Sequence, residues 1–313
     1  MLKVYRSFEE VPFNKNTVLT VGTFDGVHKG HQKILKRLLD ISKKDNLRAL
    51  MMTFFPHPQM VLKKTGKSPI QLLTTIHERA KVFEKFGLEH LLVAPFTLEF
   101  SKTSPEKFIR DYLCNEIGVK KVLIGYDHLF GKDRSGGVDL LKDLATELDY
   151  EVEKIDVLEE DKSAVSSTRI RQAIQEGCIT EANSMLGWNY IVHGIVKKGD
   201  QRGRTIGYPT ANIYSTEEGK LLPGRGVYAV RVITNDDVKF GMANVGKRPT
   251  FKENDPDILE VNIFDFNKNI YNEEVSVEFL NFIRHEKKFN GVEELLGQLR
   301  SDKKSVEKII NNL

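Results

Sequence analysis

Apolar residues recur on two different periods along this chain, and the change between them near Gly187-Trp188 limits the possible folds more than any other feature. Up to about residue 185, short apolar runs alternate with stretches whose apolar residues return every three or four positions, as expected of β-strands alternating with amphipathic helices. The runs at 17–22 (TVLTVG), 47–54 (LRALMMTF), 90–94 (HLLVA) and 121–125 (KVLIG) read as buried parallel strands. Between them KGHQKILKRLLDIS and TIHERAKVFEKF read as helices, and Ser104-Pro105 reads as an N-cap with proline at the first helical position of PEKFIRDYLCNEI. From Tyr190 onward the segments YIVHGIV, GVYAVRVI, VKFGMANV, ILEVNIF and VSVEFLNF alternate with period two between Gly, Pro, Asn and Asp. That pattern predicts an antiparallel barrel or sandwich. The final stretch, VEELLGQLRSDKKSVEKIINNL, reads as a helix packed back on it. An α/β domain over 1–185 and an all-β domain over 186–313 are therefore expected, in keeping with a 313-residue chain.

Composition narrows the function classes. A formal charge of +3, spread along the chain, does not argue for a nucleic-acid partner but suits polyphosphate ligands. The start, MLKVYRSFEEVPFNKN, is too charged for a signal peptide, and no apolar run approaches the ~18–20 residues that cross a bilayer. Cys114 and Cys178 form no CxxC pair, so neither a disulfide framework nor a zinc site is expected, and a cytoplasmic location fits. Oligomerisation is not legible.

Two stretches of the first domain look chemical. In GTFDGVHKGH, Gly22, Gly26 and Gly30 allow a tight turn and close backbone approach to a ligand, and the following helix offers unpaired N–H groups. His28 and His31 fall on one side of the first helical turn, where their imidazoles could donate to phosphate oxygens as charge develops. A structural turn with two solvated histidines has the same sequence. In VSSTRIRQAI, Ser166, Ser167, Thr168 and Arg171 open a helix as a second anion cradle, or as a plain N-cap with surface arginines.

Together these two segments resemble the nucleotidyltransferase superfamily, and within it the adenylyltransferase module of prokaryotic FAD synthetases. The resemblance implies a Rossmann-like domain, catalytic roles for His28 and His31, and nucleotide contacts at Gly22, Phe24, Asp25, Gly26, Gly30, Ser166, Ser167, Thr168 and Arg171. FFPHP matches the family's loop near the flavin and ATP, implying flavin contacts at Phe55, Pro56 and His57; by residue type alone His57 is equally a turn histidine before Pro58. IGYDHLFGKDRSGG makes Asp127 a nucleotide contact, with His128 where an aromatic residue is usual.

The strongest motif of the second half is QRGRTIGYPTANI. Gly199, Gly203 and Gly207 give a flexible loop with Arg202 and Arg204, leading to a strand that holds Thr210 and Asn212 on one face, plausible hard ligands for Mg²⁺. Physics alone favours a basic hairpin loop. The motif is, however, similar to the riboflavin kinase signature, as are NVGKRPTF, GVYAV and ILEVNIFDF with IYNEEVSVEFLNFIRHEKKF, where Asn272 replaces the usual glycine. The kinase resemblance implies a Greek-key barrel with a C-terminal helix, Glu260 as base, Gly203, Arg204 and Gly207 at the nucleotide, Thr210 and Asn212 at Mg²⁺, and Arg284 at the flavin. Alternation places Glu260 and Asn262 opposite the apolar face of Leu259, Val261 and Ile263, as a solvated strand face also would.

The expected protein thus makes FMN from riboflavin and FAD from FMN, with ATP as co-substrate. The alternatives are an enzyme with one decayed module and a non-catalytic flavin-binding protein.

Overall fold

A computed structural model describes residues 1–62, 69–125, 129–155, 165–199, 202–247 and 257–312. Asp127 and His128 lie outside the described residues. The chain divides into two compact units, one formed by 1–70 and 79–165, the other by 71–78 and 166–313.

In the first unit the strands are β1 (Lys3–Tyr5), β2 (Thr17–Val21), β3 (Arg48–Phe55), β4 (His90–Pro95), β5 (Val119–Gly125) and β6 (Glu151–Ile155). They make one parallel sheet in the order β1-β4-β3-β2-β5-β6. The four inner strands are the four expected from their apolar runs; β1 and β6 are half-exposed edges.

Helices connect the strands, and each end has a local cause. Helix α1 (Lys29–Asp45) buries Leu35, Leu38 and Ile41 and stops at Asn46, whose left-handed backbone lets its N–H reach the Ser42 carbonyl. A short α2 (Pro58–Val61) follows β3, and α3 (Ile76–Lys85) precedes β4. Ser104 accepts a hydrogen bond from Lys107 N at 3.2 Å and Pro105 opens α4 (Pro105–Lys107). The rest of PEKFIRDYLCNEI widens into a π-helix, Phe108–Ile117, ended by Gly118 at φ +82. A Cβ at Gly118 would meet the Asn14 backbone at 2.7 Å, so only glycine fits. Phe108, Ile109 and Leu113 pack with Leu141 and Leu144 of α5 (Val138–Ala145) onto Leu19, Leu50, Met52 and Leu92 of the sheet.

The second unit contains a closed barrel of β7 (Ile191–Lys197), β8 (Ala211–Ser215), β9 (Gly226–Ile233), β10 (Val238–Gly246), β11 (Ile258–Ile263) and β12 (Glu274–Arg284), ordered β10-β11-β8-β7-β12-β9. All its pairings are antiparallel. Closure leaves no unpaired edge. Helices α6 (Ser167–Gln175) and α7 (Ile179–Leu186) belong to this unit, and Asn183 Nδ2 donates to the Phe279 carbonyl of β12 at 2.9 Å. The change of period near residue 187 thus marks the first barrel strand, whereas the second unit also takes in 71–78 and resumes at 166, just ahead of α6. A single helical turn, α8 (Arg202–Thr205), sits where an open glycine loop was expected. Helix α9 (Val292–Ile310) lays Val306 against Val227, Ala229, Met242 and Leu280 on the barrel's outer face.

The segment 71–78 is fastened to the barrel by hydrogen bonds and a buried ion pair. Leu72 exchanges backbone bonds with Gly219 and Leu221, at 2.7 and 2.9 Å. Thr75 and Glu78 form a capping box, with Thr75 N donating to Glu78 Oε2 at 2.8 Å and Glu78 N to Thr75 Oγ1 at 3.2 Å. The same carboxylate accepts from Lys220 Nζ at 2.6 Å and from His193 N at 2.7 Å, with both charged side chains buried.

Candidate active sites

The first candidate site lies at the carboxyl end of β2. There the sheet order reverses direction, with β3 on one side and β5 on the other, and open α/β sheets bind ligands at such points. The GTFDGVHKGH loop is tightly wound. Phe24 (φ 46), Gly26 (φ 88) and Val27 (φ 38) all take left-handed backbone, rare for a phenylalanine and rarer for a β-branched valine. Gly22 is needed because a Cβ there would meet the Phe24 ring at 2.9 Å.

His28 caps α1 in extended conformation, and its ring stacks on His31 with centroids 3.6 Å apart. Phe24 meets His31 edge-on at 5.3 Å. The His31 pKa lies well below the ordinary value of 6.5, first because burial disfavours the cation and then because His28 and Arg79 add positive potential. A neutral His31 keeps one N–H to donate; its Nδ1 is buried without a hydrogen-bond partner among the described residues. Asp25 is buried and ion-paired with Arg79 at 3.5 Å. The structure thus gathers Gly22, Phe24, Asp25, Gly26, His28, Gly30 and His31 in one loop and the first turn of α1.

The other nucleotide and flavin candidates have visible local roles. Ser166 caps α6 by accepting from Arg169 N at 3.3 Å, with Ser167 and Thr168 in the first turn. Arg171 Nε donates to the Gln71 carbonyl at 2.7 Å. His57 is the N-cap of α2, its Nδ1 accepting from Gln59 N at 3.2 Å, while Phe55 is exposed and Pro56 follows it in a cis peptide.

The second candidate site lies on the barrel. Register sets Asn244 of β10 opposite Glu260, Glu260 opposite Asn212, and Asn212 opposite Lys197. Directly opposed residues share a face, so these four polar side chains form a row across four strands. Leu259 and Val261 are fully buried on the other face. Asn262 Nδ2 donates to the Pro209 carbonyl at 2.7 Å, fixing the chain just ahead of Thr210. Thr210 itself precedes β8 by one residue, because Pro209 has no N–H to join the ladder.

The glycines of the motif have steric reasons. A Cβ at Gly199 would meet Asn212 Nδ2 at 2.4 Å, so Gly199 lies tightly against Asn212, and one at Gly203 would meet the Tyr208 carbonyl at 2.2 Å, so the turn from Gly203 to Tyr208 is closed. Gly207 takes φ +80, and Arg204 is exposed. Arg284, the expected flavin contact, grips the buried Asp302 carboxylate of α9 with its Nε and Nη2 at 2.8–3.0 Å. Asn244 and Lys197 were not singled out in the sequence, since only the register brings Asn244 beside Glu260 and Lys197 beside Asn212.

Glu260 and Asn212, paired across two strands with Gly199 packed against the amide, offer a carboxylate and an amide oxygen, hard donors of the kind Mg²⁺ takes.

Comparison with known proteins also finds two parts in the chain. A family model described as FAD synthetase matches residues 10–169, and one described as riboflavin kinase matches residues 186–310. A Listeria monocytogenes protein named bifunctional riboflavin kinase/FMN adenylyltransferase is 41% identical over 92% of this chain and 90% of its own length. A Bacillus subtilis protein of the same name is 38% identical over 95% and 93%. A crystal structure described as a macrolide-efflux protein from Streptococcus pneumoniae is 34% identical, covers 98% of both chains and superposes with a TM-score of 0.85. Among the described residues here, no helix is long and apolar enough to cross a membrane. With both family models matched in order and curated relatives aligned over nearly its full length, the chain belongs to the bifunctional riboflavin kinase/FMN adenylyltransferase family.

Proposed function

We propose that the chain makes FAD in two steps on two modules: residues 186–313 phosphorylate riboflavin with ATP, and residues 1–185 adenylylate the FMN and release pyrophosphate. The observation that carries the kinase half is the Asn244–Glu260–Asn212–Lys197 row, which sets a half-buried carboxylate between two amides, with a lysine on the far side of the buried Asn212. Glu260 takes the proton from the ribityl hydroxyl as that oxygen attacks the γ-phosphoryl group. Thr210 and Asn212 would hold Mg²⁺, which when bound would neutralise charge developing on the phosphates. Gly203, Arg204 and Gly207 face the nucleotide.

In the adenylyltransferase half, Gly22, Phe24, Asp25, Gly26 and Gly30 shape the nucleotide loop. Ser166, Ser167, Thr168, Arg171 and Asp127 are further nucleotide contacts, and Phe55, Pro56 and His57 contact the flavin. His28 and His31 donate to the α-phosphoryl oxygens as the pyrophosphate leaves. The binding partners are riboflavin, FMN, FAD and ATP. Two free cysteines suit a reducing cytoplasm.

The test is product analysis. Full-length protein incubated with riboflavin and ATP, with and without Mg²⁺, is chromatographed for FMN and FAD. FMN appearing first and FAD after it, both only with Mg²⁺, is expected. Flavin bound but chemically unchanged makes the protein a carrier instead.

A further inference from the structure

Arg79 heads the fully buried large side chains, and the chemistry described above gives it no part. A guanidinium out of water is tolerated only where its donors and its charge are matched. Its Nη1 donates to Thr53 Oγ1 of β3 at 2.8 Å, and its Nη2 stands 3.5 Å from Asp25 Oδ1. Thr53 Oγ1 in turn donates to the Thr23 carbonyl at 2.9 Å. Arg79 therefore grips the nucleotide loop at two points, its backbone through Thr53 and its carboxylate directly.

Of the turn's three left-handed residues, Phe24 lies between those points, and Gly26 and Val27 follow directly after Asp25. Backbone of that kind persists only where its surroundings over-determine it. From the same helix, Phe83 meets the Phe24 ring edge-on at 6.1 Å, and Phe24 meets His31. One face of α3 thus supports the turn and, through Phe24, the imidazole.

We propose that Arg79 is a positioning residue for adenylyl transfer, holding the Thr23–Val27 turn, and through it Phe24 and His31, in the geometry that receives the nucleotide. The inference rests on reading residues 22–31 as the nucleotide site. It carries an electrostatic corollary. Among the described residues the titratable and charged groups that act on His31 are His28 at the head of its helix and Arg79 on α3, the latter paired with Asp25 of the loop. Arg79 is the permanent cation among them, and it helps to keep His31 neutral.

The test uses the full-length protein with Arg79→Gln, Arg79→Lys, Thr53→Val and His31→Ala. FAD formation from FMN and ATP is resolved into kcat and KM, FMN formation is measured on the same preparations, and the His31 ring is titrated by NMR. Arg79→Gln is expected to lower kcat for FAD formation by about 10–100-fold, the scale of a displacement near 1 Å at a reacting centre, with FMN formation unchanged. Its His31 midpoint should rise toward the ordinary histidine value. Arg79→Lys keeps the charge but not the fork, so His31 should titrate as in the parent while kcat still falls. Thr53→Val should lower kcat without moving the His31 midpoint.

Parental kcat in Arg79→Gln, or a lowered kcat with an unmoved His31 midpoint, overturns the proposal. If Arg79→Gln does not fold, parental kcat in both Arg79→Lys and Thr53→Val overturns it. His31→Ala separates the two levels. If that variant makes FAD at the parental rate, the reading of the site itself fails; if it is crippled while the Arg79 variants are not, only the positioning role fails.

Discussion

Glu78→Gln tests what fastens segment 71–78 to the barrel. Lys220 Nζ has no exposed area, lies 2.6 Å from Glu78 Oε2, and also donates to the Leu73 carbonyl at 2.7 Å. It sits 4.4 Å above the Tyr190 ring, which disperses little of its charge. Glutamine keeps the shape of Glu78 but removes the counter-charge. Its amide must also turn a donor toward the ammonium, the Thr75 N–H or the His193 N–H, all of which are donors themselves. Breaking one side of a buried pair costs about 3–5 kcal/mol. At ~2–4 °C per kcal/mol for a domain of this size, the barrel transition should drop by roughly 6–20 °C. Calorimetry or circular dichroism melting reads the shift. The double variant Glu78→Leu/Lys220→Met removes both charges and should recover most of the loss, since apolar replacement of a buried pair is often neutral. A Glu78→Gln protein melting within about 1 °C of the parent would refute the reasoning, because that is the behaviour of a surface site.

His28→Ala and His31→Ala should each lower FAD formation by about 10²–10³-fold and leave FMN formation intact, as chromatography of both products would show. An equal loss of both activities would point to a folding role. Thr210→Ala and Asn212→Ala should raise the Mg²⁺ concentration needed for half-maximal FMN formation by about tenfold without lowering the melting temperature. An unchanged Mg²⁺ dependence would remove them from the metal site.

How far the sequence reached depends on the range of the interaction. Strands β2 to β5 were legible because inner parallel strands are apolar on both faces and leave a continuous run. Strand β6, EVEKI, is a half-exposed edge with three charges, and β1 has three residues, so neither carries such a run. Ser104 and Ser166 showed their caps because the partner is three residues away. In 71–78 the local signal, Thr75 followed by Glu78, marks only a helix start; the lysine that completes the pair is 142 residues on. Arg79 and Asp25 are 54 apart, and nothing local in either predicts the other. Glu260 and Asn212 were singled out through separate motifs, but their adjacency, with Asn244 and Lys197 on either side, follows from the closed barrel's register.

The central claim is that the polar row on the barrel carries phosphoryl transfer to riboflavin with Glu260 as its base, and Glu260→Gln tests it most directly. Glutamine preserves the row's shape and one acceptor oxygen but cannot take up the ribityl proton. A positioned base contributes about 10²–10⁴-fold, so FMN formation should fall by that factor, with riboflavin and ATP still bound and FAD still made from supplied FMN. A Glu260→Gln enzyme converting riboflavin to FMN at the parental rate would contradict the claim.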